Sequence, residues 1–292
     1  MAKTTSIKVL AIQQFNVAFS QLYVNTLSDH LRTSHLHINK PHKHDFYATM
    51  IFTKGSGIHE IDFRSYDVRP GSIFLLMPGQ THHWELSADA DGIIFFHTQE
   101  YYETHYINQP LRDFPFFSSA QNIPVLRFNG QLMHDFELLF KKVLEVNENI
   151  GVKKTPLLLS IISQIYIELQ RSMDPDANAD TIRPHNYQNQ FRRFETLVEQ
   201  HYRTERSAAQ YASWMNMSAK HLNRIAQAVL NKSTTEVITD RVVLEAKRML
   251  IYAHNNFNET ARQLGFDDYA HFSKIFKKKT GMTPSYFSAQ YI

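Results

Sequence analysis

The chain has 292 residues, room for about two domains at roughly 150 residues each, and its 43% hydrophobic and 20% charged residues are the balance of a folded globular protein. It has no cysteine, which excludes disulfides, thiolate metal sites and cysteine nucleophiles. Its net charge of +3 is unevenly spread: from residue 185 onward 15 Lys or Arg stand against 9 Asp or Glu, whereas the first 184 residues hold 16 against 19, so the basic excess at one end matches a nucleic-acid module.

No apolar run approaches the roughly 18 residues that cross a bilayer. The N-terminus, with Lys3 and Lys8 ahead of a polar Gln13–Gln14 pair, has no signal-peptide apolar segment. The chain is therefore expected in the cytoplasm, with no membrane partner.

Residues 33 to 100 read as six short strands: His35–Asn39, Phe46–Thr53, Ile58–Phe63, Ser72–Met77, His82–Leu86 and Gly92–His97, with turns at Gly55 to Gly57, Pro70–Gly71 and Pro78–Gly79. Strands at that spacing predict an all-β barrel or sandwich. From Leu132 the apolar period changes to three and four. Leu132, Phe136, Leu139, Phe140, Val143 and Leu144 predict one helix, and Leu158, Ile161, Ile162, Ile165, Ile167 and Leu169 a second, joined around Gly151 to Thr155. The second is apolar over more than half its circumference, which suits a homodimer interface within residues 132–172 as well as cover for the barrel.

Asp174, Pro175, Asp176, Asn178, Asp180 and Pro184 mark an interdomain linker over 173–186. The expected division is thus 1–172, a strand-rich and dimerisation domain; 173–186, the linker; and 187–292, a helical DNA-binding domain. The fold class is α+β multidomain.

The C-terminal part repeats itself. Ala212, Met215, Asn216 and Met217 stand 49 residues before Ala261, Leu264, Gly265 and Phe266, and Leu222, Arg224 and Ile225 stand 50 before Phe272, Lys274 and Ile275. Each copy reads as helix, tight turn, helix, the arrangement that lets one helix enter a DNA major groove. In the first copy Ser207 and Gln210 suit a capping box, Asn216 tolerates the turn's positive φ, and Ser218 caps the next helix. That helix turns Leu222, Ile225, Ala226 and Val229 inward and Lys220, Asn223, Arg224 and Gln227 outward, side chains of the kinds that read base edges. In the second copy Phe272, Ile275 and Phe276 face inward and Tyr269, Ala270, Ser273 and Lys274 outward. Lys277 and Lys278 suit phosphates, because a lysine cluster adds affinity without sequence information. Gly281 and Pro284 end the helix. Between the copies Glu236–Tyr252 is expected to form one helix about 25 Å long, a spacer able to set two recognition helices roughly 34 Å apart along the duplex.

Val237–Ile238, Arg241, Ala246 and Leu250, then Ala261, Leu264–Gly265–Phe266, Phe272–Ser273–Lys274, Phe276–Lys277–Lys278, Gly281 and Thr283–Pro284, resemble the AraC/XylS family of bacterial transcription regulators. The resemblance covers about a hundred residues. It implies a sequence-specific regulator whose two helix-turn-helix subdomains contact operator DNA through positions such as Lys220, Asn223, Arg224, Tyr269, Ala270 and Lys274. It also implies control by a small-molecule effector, with RNA polymerase a further candidate partner. Ala226 and Gln227 replace the usual Phe-Lys, Asn231 the usual Gly, and Ser288 an Arg.

His42, His44, Gly55, Gly57, Gly71, Pro78–Gly79 and His82 are similar to the cupin barrel common at the N-terminus of that family. His42, His44, Tyr47, His82 and Trp84 are the expected effector-pocket residues. A metal-dependent cupin enzyme with a helical accessory domain is the alternative, since His42 and His44 share a strand face and can converge with His82 on a transition metal. Ala48 stands in the region of the usual metal-binding carboxylate and Asp45 alternates to the other face, so no metal, cofactor or catalytic residue is assigned.

Overall fold

The computed structural model describes residues 8–15, 21–38, 40–107, 109–118, 123–149, 151–173, 185–252 and 256–290. The chain separates into two compact units, Lys8–Asp180 and Thr181–Ile292. Most of the expected linker, 174–184, lies outside the described residues.

Among the described residues the first unit has ten strands: β1 Val9–Leu10, β2 Leu22–Thr26, β3 Lys43–His44, β4 Tyr47–Lys54, β5 Gly57–Ile61, β6 Arg64–Val68, β7 Ser72–Leu76, β8 His82–Leu86, β9 Asp91–His97 and β10 Val125–Arg127. Its helices are α1 Leu27–Ile38, α2 Gln99–Glu103, α3 Gly130–Glu148 and α4 Lys154–Met173.

The strands do not close into the expected cupin-like barrel. They form a five-stranded sheet in the order β10-β7-β4-β9-β2, a three-stranded sheet β6-β5-β8 and the pair β1-β3. Strand length explains the opening. β3 has only two residues and bends at Asp45–Phe46 before β4 begins, so β8 meets it through a single reciprocal bridge, His42 N to His82 O at 3.1 Å and His82 N to His42 O at 2.9 Å. At β6 and β10 the Arg127 guanidinium donates to Asp67 O at 3.1 Å, a side-chain contact that cannot replace a backbone ladder.

Period-two alternation gives the five-stranded sheet two apolar faces. Ile51, Ile73, Leu75, Ile93 and Phe95 pack beneath α3 and α4 with Phe136, Phe140, Ile162, Ile165 and Tyr166. Ala48, Met50, Phe52, Phe74, Leu76 and Phe96 pack with Ile61 and Val68 of the smaller sheet and with Leu27 of α1.

Two expected elements change identity. The strand placed at His35–Asn39 is instead the end of α1, which begins where Thr26 Oγ1 accepts from Asp29 N at 3.2 Å; Asn39 lies outside the described residues. The strand read as Ile58–Phe63 ends at Ile61. Asp62 and Phe63 both have positive φ, 49° and 67°, and make the two-residue turn into β6. Asp62 holds that conformation by accepting from Thr81 N at 3.1 Å and from Gln80 Nε2 at 3.3 Å. Phe63 carries no turn signal of its own.

The regular elements among the described residues of the second unit are all helices: α5 His185–His201, α6 Ala208–Trp214, α7 Ala219–Leu230, α8 Thr234–Tyr252, α9 Phe257–Gln263, α10 Tyr269–Thr280 and α11 Pro284–Ala289. The sequence repeat is a structural repeat. Ser218 caps α7 by accepting from His221 N and Asp268 caps α10 by accepting from His271 N. Asn216 and Gly265 make the turns at φ 54° and 71°, and Met217 N and Phe266 N donate to Ala212 O and Ala261 O at 3.0 and 2.9 Å. Asn231 ends α7 at φ 54° as Gly281 ends α10 at 79°, so Asn serves where the family pattern has Gly, since it too tolerates the left-handed region.

α8 is buried along most of its length through Val237, Ile238, Val242, Val243, Ala246, Met249 and Leu250. Its one buried carboxylate, Glu245, meets Arg203 at 3.3 Å, Arg241 at 3.2 Å and Arg248 at 3.5 Å. Arg241 also chelates Glu199 of α5 at 2.8 and 2.9 Å and lies 4.0 Å over the Tyr202 ring. Deleting the acid strands guanidinium charge inside the unit. Glu245→Ala should cost this unit about 3 to 5 kcal/mol, read as a lower denaturation midpoint; a loss under about 1 kcal/mol would refute a structural role for the cluster.

Candidate functional site

The base-reading candidates of the first module lie on the solvent side of α7 because Leu222, Ile225 and Ala226 claim the other side for the core. Lys220, Asn223, Arg224 and Gln227 are all exposed. Arg224 is held in place: its Nη2 lies 2.7 Å from His221 Nδ1, its guanidinium 5.9 Å from the Tyr187 ring, and Tyr187 meets His221 edge-on at 5.8 Å. Neither Tyr187 nor His221 was singled out by the sequence, since Tyr187 belongs to α5, a different element. Asn223 has a second task, its Oδ1 accepting from Thr234 N at 3.1 Å. That bond caps α8 and leaves the Asn223 amide N–H groups for a ligand.

In the second module Ala270, Lys274, Lys277 and Lys278 are exposed on α10, while Tyr269 is half-buried against Phe257 and Phe272. Lys279 differs from its neighbours. It pairs with Asp240 of α8 at 2.8 Å and anchors α10 there.

The expected effector residues divide between two faces. His42, His44, His82 and Trp84 line one small cavity between the sheets with Phe15, His30, Phe46, Met50 and Phe96. Tyr47 does not join them. Strand alternation turns it to the opposite face of β4, where it stacks on His97 and meets Phe117 edge-on. The cavity measures about 10 Å³, space for about one water.

Around it sits a cluster of imidazoles. His59 Nε2 and His82 Nδ1 are 2.9 Å apart, and the rings of His42 and His44 stand 4.4 and 5.1 Å from that of His82. His42 Nδ1 donates to Lys40 O and His44 Nδ1 to Phe46 O, which leaves each Nε2 without a proton in the neutral ring. Burial lowers the pKa of all four, that of His44 to about 3. His30 is likewise lowered to about 4, by burial and then by nearby His42. Among the described residues no carboxylate lines the cavity, and Ala48 faces it. Among the described residues no group of His, Asp and Glu is disposed to hold a metal ion.

A separate polar group lies beneath α4. His97 Nδ1 donates to Thr98 O at 3.0 Å, so its Nε2 accepts from Tyr166 Oη at 2.7 Å, and Thr49 Oγ1 stands 3.1 Å from the same hydroxyl. This pins α4 to β4 and β9.

The histidine cluster fixes a pH dependence. Each ring binds a proton more weakly folded than unfolded, so above about pH 6.5 neither state is charged and nothing is lost. Below it the unfolded chain takes up protons first, and stability falls towards the folded values near 3 to 4, by at most about 1.4 kcal/mol per pH unit per histidine. The calorimetric midpoint of the first unit should therefore drop between about pH 6.5 and pH 4.5; a flat profile there would contradict neutral burial.

Residues 211–290 match the family model described as a helix-turn-helix domain, and residues 30–160 match the AraC-like ligand binding domain. The arabinose operon regulatory protein of Escherichia coli (strain K12) is 23% identical over 257 residues, spanning 86% of this chain and 83% of that protein. The HTH-type transcriptional activator RhaS of Yersinia pestis (strain Pestoides F) is 22% identical over 256 residues, spanning 83% and 86%. The solved structure of ToxT from Vibrio cholerae aligns with a TM-score of 0.44 at 14% identity over 93% of this chain and 98% of that one. With paired helix-turn-helix modules and an AraC-like domain ahead of them, the chain is a sequence-specific DNA-binding transcription regulator of the AraC type.

Proposed function

We propose that α7 and α10 enter two successive major-groove segments of one operator, with Lys220, Asn223, Arg224 and Gln227 reading the first and Ala270 and Lys274 the second. The observation that carries this is Arg224, an exposed guanidinium steadied by His221 and Tyr187 and so ready for a bidentate contact to guanine. Lys277 and Lys278, exposed at the end of α10, neutralise phosphates.

The N-terminal unit, in this reading, takes a small-molecule effector and carries the dimer contact within residues 132–172. The match to the AraC-like ligand binding domain supports the first role. Two matched relatives are named for sugar operons, arabinose and raffinose, which makes a sugar the first ligand class to try. A cavity of about 10 Å³ means that such a ligand enters by spreading the two sheets or binds elsewhere. Exposed Leu132 and Leu138 on α3, and Leu157 and Ile167 on α4, support the second role. The regulator works in the cytoplasm, and RNA polymerase is its natural further partner on DNA.

Two substitutions separate base reading from charge. Arg224→Ala should lower affinity for the preferred site by about 1 to 3 kcal/mol and relax base preference at one position; an unaltered preference in a binding selection would remove Arg224 from the readers. Lys277→Ala with Lys278→Ala should weaken binding to every sequence and reduce the salt slope by about two; an effect confined to one sequence would overturn the phosphate assignment.

A further inference from the structure

The two helix-turn-helix modules are joined by α8, but they also touch away from it. Arg203 to Arg206, the loop leading from α5 into α6, rests on the turn of the second module. Arg206 Nη2 donates to Leu264 O, and the guanidinium lies 3.6 Å from the centre of the Phe266 ring. Gly265 sits between them at φ 71°, so close that a Cβ there would stand 2.1 Å from Arg203 O. Leu264 and Phe266 are core residues of the second module, 0% and 5% exposed, so the contact bears on its interior.

On the other side the loop is tied to the first module. Glu205 Oε1 accepts from Arg206 N and Ser207 N, both at 2.7 Å, and Tyr211 Oη donates to Glu205 O at 3.1 Å. Tyr211 is itself fully buried.

A single helix between two bodies sets their separation but resists rotation about its own axis poorly. A second contact off that axis removes the rotation. We propose that Arg206 is a positioning residue for operator reading: it clamps the turn of the second module to the loop that opens the first, and so fixes the roll and spacing at which α7 and α10 meet the duplex. This rests on the two-segment reading above. It assigns specificity to a residue that touches no base, and it gives Gly265 a role beyond turn geometry, because any side chain there would push the clamp apart.

The test uses the full chain and a site obtained by binding selection, together with each half of that site alone and versions with one or two base pairs inserted between the halves. Arg206→Ala should bind the intact site about tenfold more weakly, the scale of losing a stacked, partly desolvated guanidinium. Its affinity for each half alone should stay within about twofold of the parent, and its penalty for inserted base pairs should shrink. Parent-like affinity and parent-like spacer dependence would overturn the proposal, as would an equal loss on half and intact sites, which marks a direct contact or a stability defect. Should Arg206→Ala fail to fold, Phe266→Leu removes the ring under the guanidinium while keeping apolar volume, with the same pattern expected at smaller size. A parent protein indifferent to inserted base pairs would instead sink the two-segment reading, a result distinct from failure of the clamp alone.

Discussion

Helices α6 and α9 have seven residues each, too short to hold their shape in water without tertiary support. Each helix-turn-helix here encloses only a few apolar side chains, so neither module makes a sufficient core by itself. The constraint on the C-terminal half is therefore α8, whose buried Val237, Ile238, Val242, Ala246 and Leu250 supply apolar surface to both modules. Its interior position also explains the Glu245 cluster. Arginines that tie α5 to α8 have to leave water, and a carboxylate contacted by three guanidinium groups makes that burial tolerable.

The same economy governs the N-terminal half. One five-stranded sheet serves two cores, with α3 and α4 above it and the smaller sheet and α1 below. His97, Thr49 and Tyr166 place a hydrogen-bonded polar group in the first of these, where its direction fixes how α4 lies on the sheet. The second core takes five imidazoles, those of His30, His42, His44, His59 and His82, whose burial favours the neutral form at the cost of acid sensitivity.

Several outward side chains of the helix-turn-helix modules are held by groups behind them. Arg224 is aimed by His221 and Tyr187, Asn223 is half committed to capping α8, and Lys279 anchors rather than reaches outward. Outward lysines add affinity without sequence information, whereas sequence is read by side chains that meet base edges.

Local physics made much of this readable from residue order alone. The turns at Asn216 and Gly265, the caps at Ser207 and Ser218, the stop at Gly281–Pro284 and the three-and-four spacing of α3, α4, α7 and α10 depend on neighbours within one or two turns, and a repeat offset of 49 to 50 residues exposed the paired modules. What required tertiary structure was everything set by partners far away in sequence. Whether the strands closed into a barrel depended on backbone pairing between short segments, not on alternation within them. Phe63 took a turn conformation because the loop at Gln80–Thr81 holds Asp62. Tyr47 left the predicted pocket because strand parity sent it to the other core, and His30 entered it from a helix whose own spacing says nothing about that cavity. The Arg206 clamp belongs to this second kind: 58 residues separate it from Leu264, and only packing brings them together.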